Sequence, residues 1–268
     1  MPYVTNRGAK LYWEEAGTGP PVLLIMGLSF TLEMWFSVTP ALVGSFRTIC
    51  FDNRGVGRSD IPRGPYSIRG MADDARAVLD AAGVQSAHVI GASMGGMIAQ
   101  EFALRYPDRV RSLALGCTSY SGIFARWPHF RESPGLAWFR DGDRIVRERK
   151  LRRMLYAAGT PEDRIEEDIQ VRCGCGWEYK GVLSQLAGIL LWNSYWRLPS
   201  ITAPTVVLHG DEDHLIPAAN GRVVASRIPN ARFELIRRAG HIFITDQPEL
   251  TISLLTNFLK QHSPLSGE

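Results

Sequence analysis

An α/β fold, with a mostly parallel sheet of about eight strands, helices on both faces and one inserted helical segment, is the architecture the sequence predicts. Three observations carry it. Apolar runs of strand length alternate with amphipathic stretches of helix length over residues 1–118 and again over 200–268. Between 119 and 199 that rhythm stops, and helical patterns follow one another without a buried strand. The chain has 268 residues, 45% of them hydrophobic and 21% charged, which suffices for one large core and excludes disorder as its main character.

The elements follow in order. Lys10 to Glu15 pairs with the first residues across the Asn6-Arg7-Gly8 turn, and strands are predicted at Val22–Met26, Arg47–Phe51, Ala87–Ile90 and Val110–Leu115. After the interruption come Thr205–Leu208 and Arg232–Ile236. Three- and four-residue apolar spacing predicts helices near 33–43, 68–82, 94–106, 217–227 and 247–260. The 119–199 segment, with helices expected at 143–157, 162–172 and 182–196, reads as a lid inserted into a core formed by 1–118 and 200–268. Five of the seven tryptophans lie in it, so they either fill its own small core or line a pocket beneath it.

Thirty basic side chains against 27 acidic ones leave a net charge of +3, too little to gather a polyanion, so nucleic acid is not an expected partner. Val22 to Leu28 is too short to span a bilayer, and no signal-peptide pattern opens the chain, which makes the cytoplasm the expected location. Cysteines 50, 117, 173 and 175 match neither a redox pair nor a zinc set, and read as reduced structural thiols.

Chemistry enters at Gly91-Ala92-Ser93-Met94-Gly95-Gly96, after an apolar strand and before a helical pattern. A serine on so tight a strand-to-helix turn needs minimal neighbours two positions either side, and Gly91 and Gly95 supply them. The following helix turns its free N–H groups toward the serine, favouring developing negative charge. A serine hydroxyl needs a base, and the base a carboxylate to orient it. His241 follows Gly240 in a loop after a strand, on the same carboxyl edge as Ser93; His88, His129, His209 and His262 read as structural or solvated. Gly210-Asp211-Glu212-Asp213-His214-Leu215-Ile216-Pro217 is another such loop, with three acids of which one can serve.

The order Ser93, Asp213, His241, the serine turn, the Gly210-x-x-Asp213-x-x-x-Pro217 loop and the segment Asp52-Asn53-Arg54-Gly55-Val56-Gly57-Arg58-Ser59 together resemble the α/β-hydrolase family over nearly the whole chain. The resemblance selects Asp213 over Asp211 and Glu212. It also identifies Gly55-x-Gly57 with a structural loop of that family rather than a dinucleotide fingerprint, so no nicotinamide or flavin is implied, and no cofactor or metal is expected. It assigns the oxyanion hole to the backbone N–H groups of Leu28 and Met94, Met26-Gly27-Leu28 standing where the family often has His-Gly. Ser29 is a possible further donor, and Trp35, Trp127, Trp138 and Trp192 are candidate pocket residues.

The expectation is a serine hydrolase that cleaves a moderate-sized, mostly apolar carboxylic ester or lactone through an acyl-enzyme; the Ser93 turn is similar to those of enol-lactone hydrolases and aromatic-polyketide methylesterases. Two alternatives remain open. One is a carbon–carbon hydrolase of the meta-cleavage type, whose usual Asn before the serine and Trp after the histidine are here Ala92 and Ile242. The other is a small-molecule receptor with vestigial hydrolysis. Self-association is left open.

Overall fold

The computed structural model describes residues 3–126, 144–176 and 178–263. Trp127, Trp138, Trp177 and His129 lie outside these residues. Eight strands form one sheet: β1 (Tyr3–Asn6), β2 (Ala9–Ala16), β3 (Pro21–Ile25), β4 (Arg47–Phe51), β5 (Ala87–Ala92), β6 (Val110–Gly116), β7 (Thr205–Gly210) and β8 (Arg232–Ile236). Their spatial order is β1-β2-β4-β3-β5-β6-β7-β8. The β1–β2 and β2–β4 pairs are antiparallel, and every other pair is parallel.

Continuous apolar runs are what a strand covered on both faces requires. In β3, Leu23 and Ile25 enter one core while Val22 and Leu24 enter the other, and β5 divides Val89 from Ile90 in the same way. Helices α2 (Ile68–Ala81) and α3 (Met94–Arg105) cover the first face. Helices α1 (Val38–Leu42) and α10 (Pro248–Gln261) cover the second. The β5 strand runs to Ala92, two residues beyond its expected end, so its pairing with β6 continues to the residue before Ser93.

The expected 33–43 helix is instead a 3-10 turn, Leu32–Trp35, followed by α1. Starting the helix anew at Val38 puts Pro40 in the first turn, where its missing N–H costs nothing. The segment between β6 and β7 carries α4 (Arg144–Lys150), α5 (Arg152–Leu155), α6 (Glu162–Gly174) and α7 (Tyr179–Leu190). The 143–157 pattern is thus two helices, and the 182–196 pattern starts earlier and stops at Leu190.

Helix α7 is set close against the loop after β4. A Cβ on Gly181 would lie 2.0 Å from the Gly55 carbonyl oxygen, and one on Gly188 would lie 2.9 Å from that of Tyr66. The Tyr66 N–H donates to the Ser184 carbonyl at 3.1 Å. After β7 come α8 (Ala219–Arg227) and, past β8, the single turn α9 (Phe243–Asp246) before α10. No helix among the described residues is long and apolar enough to cross a membrane.

Candidate active site

Ser93 joins β5 to α3 with φ 57° and ψ −120°, a left-handed conformation that costs a non-glycine residue energy. The surroundings hold it there. A Cβ on Gly91 would come within 2.4 Å of the Gly95 carbonyl, and one on Gly95 within 2.0 Å of the Ile25 carbonyl, so strand, helix and β3 meet with no room for a side chain. The Ser93 N–H donates to the Gly116 carbonyl at 2.8 Å, and the Thr118 hydroxyl donates to the Ser93 carbonyl at 2.7 Å. Because α3 begins at Met94, that residue's N–H has no carbonyl one turn back to receive it.

The loop after β3 runs beside Ser93. A Cβ on Gly27 would sit 3.0 Å from that of Ser93, so the glycine lets the two segments lie in close contact. Leu28 is the residue that follows Gly27. The Asn53 amide donates to the Met26 carbonyl at 2.8 Å, holding the loop from behind. Asn53 in turn follows Asp52, a fully buried carboxylate that accepts the N–H groups of Leu32 and Arg58 at 2.9 Å each.

Two further loops carry the candidate histidine and acid. His241 Nδ1 lies 2.9 Å from Asp213 Oδ2, which fixes the ring and leaves Nε2 as the acceptor nitrogen. Asp213 Oδ1 accepts the N–H groups of Leu215 and Ile216 at 2.9 and 2.8 Å. Burial raises the Asp213 pKa, but His241 and His209 outweigh it and hold the carboxyl well below the usual range. Asp211 and Glu212 face elsewhere: Asp211 lies toward Arg237, and Glu212 accepts the Ala158 N–H at 2.9 Å. The acid and histidine loops touch because position 210 is glycine, where a Cβ would lie 2.2 Å from the Ala239 carbonyl.

Two neighbours give no signal in the sequence. His209, fully buried, places Nε2 2.7 Å from the Ile216 carbonyl and 3.3 Å from Asp213, backing the carboxylate from the other side. Asp246 accepts the Gly240 N–H at 2.6 Å and also bonds the Thr160 hydroxyl and the Ala157 N–H. Burial pushes its pKa up to about 6 against those bonds. Cys117, His209 and Asp213 are the described cluster whose donor atoms lie near enough to share an ion, within 4.8 Å. His209 Nε2 and the Asp213 oxygens already serve the hydrogen bonds just given, and Cys117 Sγ lies 3.7 Å from the Gly240 carbonyl oxygen.

A family model for the alpha/beta hydrolase fold matches residues 20–248. The chain belongs to the α/β-hydrolase fold family. Among relatives of this family, the poly(3-hydroxyalkanoate) depolymerase of Ectopseudomonas oleovorans is 34% identical over 248 residues, 90% of this chain and 84% of that protein. A putative carbamate hydrolase, RutD, of Azorhizobium caulinodans is 33% identical over 96% of this chain and 98% of its own. The solved structure of Est816, described as an N-acyl homoserine lactone degrading enzyme, superposes with a TM-score of 0.82 at 31% identity, covering 96% of this chain and all of that one. The shared activity class of these α/β-hydrolases is hydrolysis.

Other expected site residues fall in different places. Ser29 is buried with φ 65°, and its N–H donates to the Gln185 side chain at 3.0 Å. Trp35 is 1% exposed; it borders a cleft of about 740 Å³ lined also by Glu14, Glu33, Arg58 and Cys175, and also a small cavity lined by Gly91, Ala92 and Phe243. Trp192 sits in the core rather than in a pocket: its indole N–H donates to buried Glu101 at 2.9 Å, the partner that a buried indole requires. Cys50 and Cys117 are buried thiols outside any disulfide.

Proposed function

We propose that this α/β-hydrolase cleaves a carboxylic ester or lactone of moderate size and mostly apolar character by acyl transfer through Ser93. The observation that carries the reading is the His241–Asp213 bond on the sheet edge that also presents Ser93 on a strained turn. In the cycle, His241 Nε2 takes the Ser93 hydroxyl proton as the oxygen attacks the carbonyl carbon. The negative oxygen of the tetrahedral intermediate meets the N–H groups of Leu28 and Met94. Collapse breaks the carbon–oxygen bond, and the leaving alkoxide takes its proton from His241. Water then gives a proton to His241, attacks the acyl-enzyme, and frees the acid as Ser93 regains its proton.

The helices between β6 and β7 serve in this reading as a lid, and the cytoplasm is the proposed location. The depolymerase and lactone-degrading relatives, both acting on carbonyl–oxygen bonds by their names, favour an ester or lactone. A carbamate is the second reading, favoured by the relative that matches 96% of this chain. The same serine cycle handles both. Turnover of a short aryl ester by the wild type and by Ser93→Ala, at neutral pH without added metal, tests the proposal. A loss of at least about 10⁴-fold in kcat is expected for the variant; hydrolysis that survives there would overturn the mechanism. A panel of aryl esters, lactones and N-alkyl carbamates then separates the two substrate classes.

A further inference from the structure

The loop that carries Leu28 is held from two sides by amides, and one of them comes from the helices between β6 and β7. The Asn53 Nδ2 donates to the Met26 carbonyl. On the far side of Gly27-Leu28, the Ser29 N–H donates to Gln185 Oε1 at 3.0 Å, and Gln185 Nε2 donates to the Arg54 carbonyl at 2.8 Å. Gln185 is fully buried on α7, so both halves of its amide are spent on backbone groups where water cannot replace them.

This amide has a specific task. Ser29 stands at φ 65°, in the left-handed region that a serine adopts only when its surroundings compel it. The peptide plane of Leu28 is one residue away, so any relaxation of Ser29 toward ordinary φ swings the Leu28 N–H. The anchor itself is stiff. Gly181 and Gly188 bring α7 into backbone contact with Gly55 and Tyr66, and the Tyr66 N–H bonds the Ser184 carbonyl next to Gln185. Helix α7 therefore acts as a fixed buttress.

We propose that Gln185 is a positioning residue for the oxyanion hole: through Ser29 it fixes the aim of the Leu28 N–H, so that the inserted helices take part in transition-state stabilisation. The inference rests on the acyl-transfer reading given above. It predicts a defect in the transition state and not in substrate binding, since a donor aimed at a developing charge counts little before the charge exists.

The test compares wild type, Ser93→Ala, Gln185→Met and Gln185→Glu. Met keeps the length and volume but accepts nothing from Ser29; Glu keeps an oxygen acceptor at the same reach. Two readouts are used: kcat and KM on an aryl ester, and the rate at which a fluorophosphonate probe becomes bonded to the serine as fluoride leaves. Gln185→Met is expected to lower kcat and the labelling rate by roughly 10- to 100-fold with KM within about threefold, a fraction of the loss that deleting a whole donor causes. Affinity for an arylboronic acid, which forms a tetrahedral adduct on the serine, falls in parallel. Gln185→Glu recovers most of the loss. Wild-type kcat and labelling in folded Gln185→Met overturn the inference, as does an equal loss in Gln185→Glu folded to the same melting temperature as wild type. Labelling or turnover that survives Ser93→Ala sinks the acyl-transfer reading itself, a failure distinct from that of Gln185.

Discussion

Three acids stand within three consecutive positions, and their surroundings give them different work. Asp213 is buried, accepts two backbone N–H groups and bonds His241, while Asp211 lies toward solvent-exposed Arg237. Replacing Asp213 by Asn keeps the shape but offers His241 Nδ1–H a neutral partner and invites the wrong tautomer. Asp213→Asn is expected to lower kcat by about 10⁴-fold, and Asp211→Asn by less than about threefold; steady-state kinetics on one ester compare them, and the reverse order would reassign the acid. The family resemblance singles out Asp213 among the three, and Asp213 is the acid that bonds His241. Gln185 was not legible, because Leu183-Ser184-Gln185-Leu186 is an unremarkable stretch of helix, and its partners Ser29 and Arg54 lie 156 and 131 positions away. Trp192 misleads in the same manner: a tryptophan in the insertion announces burial but not which neighbour takes its N–H.

At the level of elements, strands and loops were read well wherever one residue pattern has one physical solution. Runs such as Val22 to Ile25 must be covered on both faces, and a serine between Gly91 and Gly95 has few places to go. Helix limits were read less well in the insertion, where Arg144 to Leu155 carries an even amphipathic pattern but breaks at Leu151. Contacts between loops set the geometry of the proposed site and leave little trace in the chain. Gly210 is a case in point. Gly210→Ala thrusts a methyl group into the Ala239 and Gly240 carbonyls, at 2.2 and 2.3 Å, and must part the acid loop from the histidine loop. The expected outcome is at least a tenfold fall in kcat/KM together with a lowered Tm; full activity would show that the two loops have slack. Trp192→Phe, which removes the indole bond and leaves the Glu101 carboxylate its ion pair with Arg197 at 2.8 Å, is expected to cost about 1 kcal/mol in urea unfolding without changing KM.

Over the whole molecule, two buried groups respond to acid with opposite signs. Burial lowers the His88 pKa to about 4, so between the ordinary histidine value and 4 the unfolded chain takes the proton and stability falls as pH drops. Asp246 is raised to about 6, so over the window from 6 down to the ordinary carboxylate value the folded chain takes the proton and stability rises as pH drops. The second effect masks part of the first. Asp246→Asn removes it, and the variant is expected to lose stability more steeply than wild type between pH 6.5 and 4. Denaturant midpoints across that range check the sign; parallel curves would mean that Asp246 does not change its charge there.

The two ends of the sheet bear on how this molecule behaves in a crowd. A row of unpaired strand groups is a template on which another chain can add itself, and long flat edges invite fibres. Here one margin is β1, four residues long, and the other is β8, five residues long and carrying an ion pair between the Arg232 and Glu234 side chains at 3.1 Å. Each margin offers a neighbour too short a rail to grip, and one of them is sheathed in charge. Concentrated solutions of the folded protein should accordingly resist fibrillar association through either border, and any clustering they do show has to arise from side-chain surfaces instead.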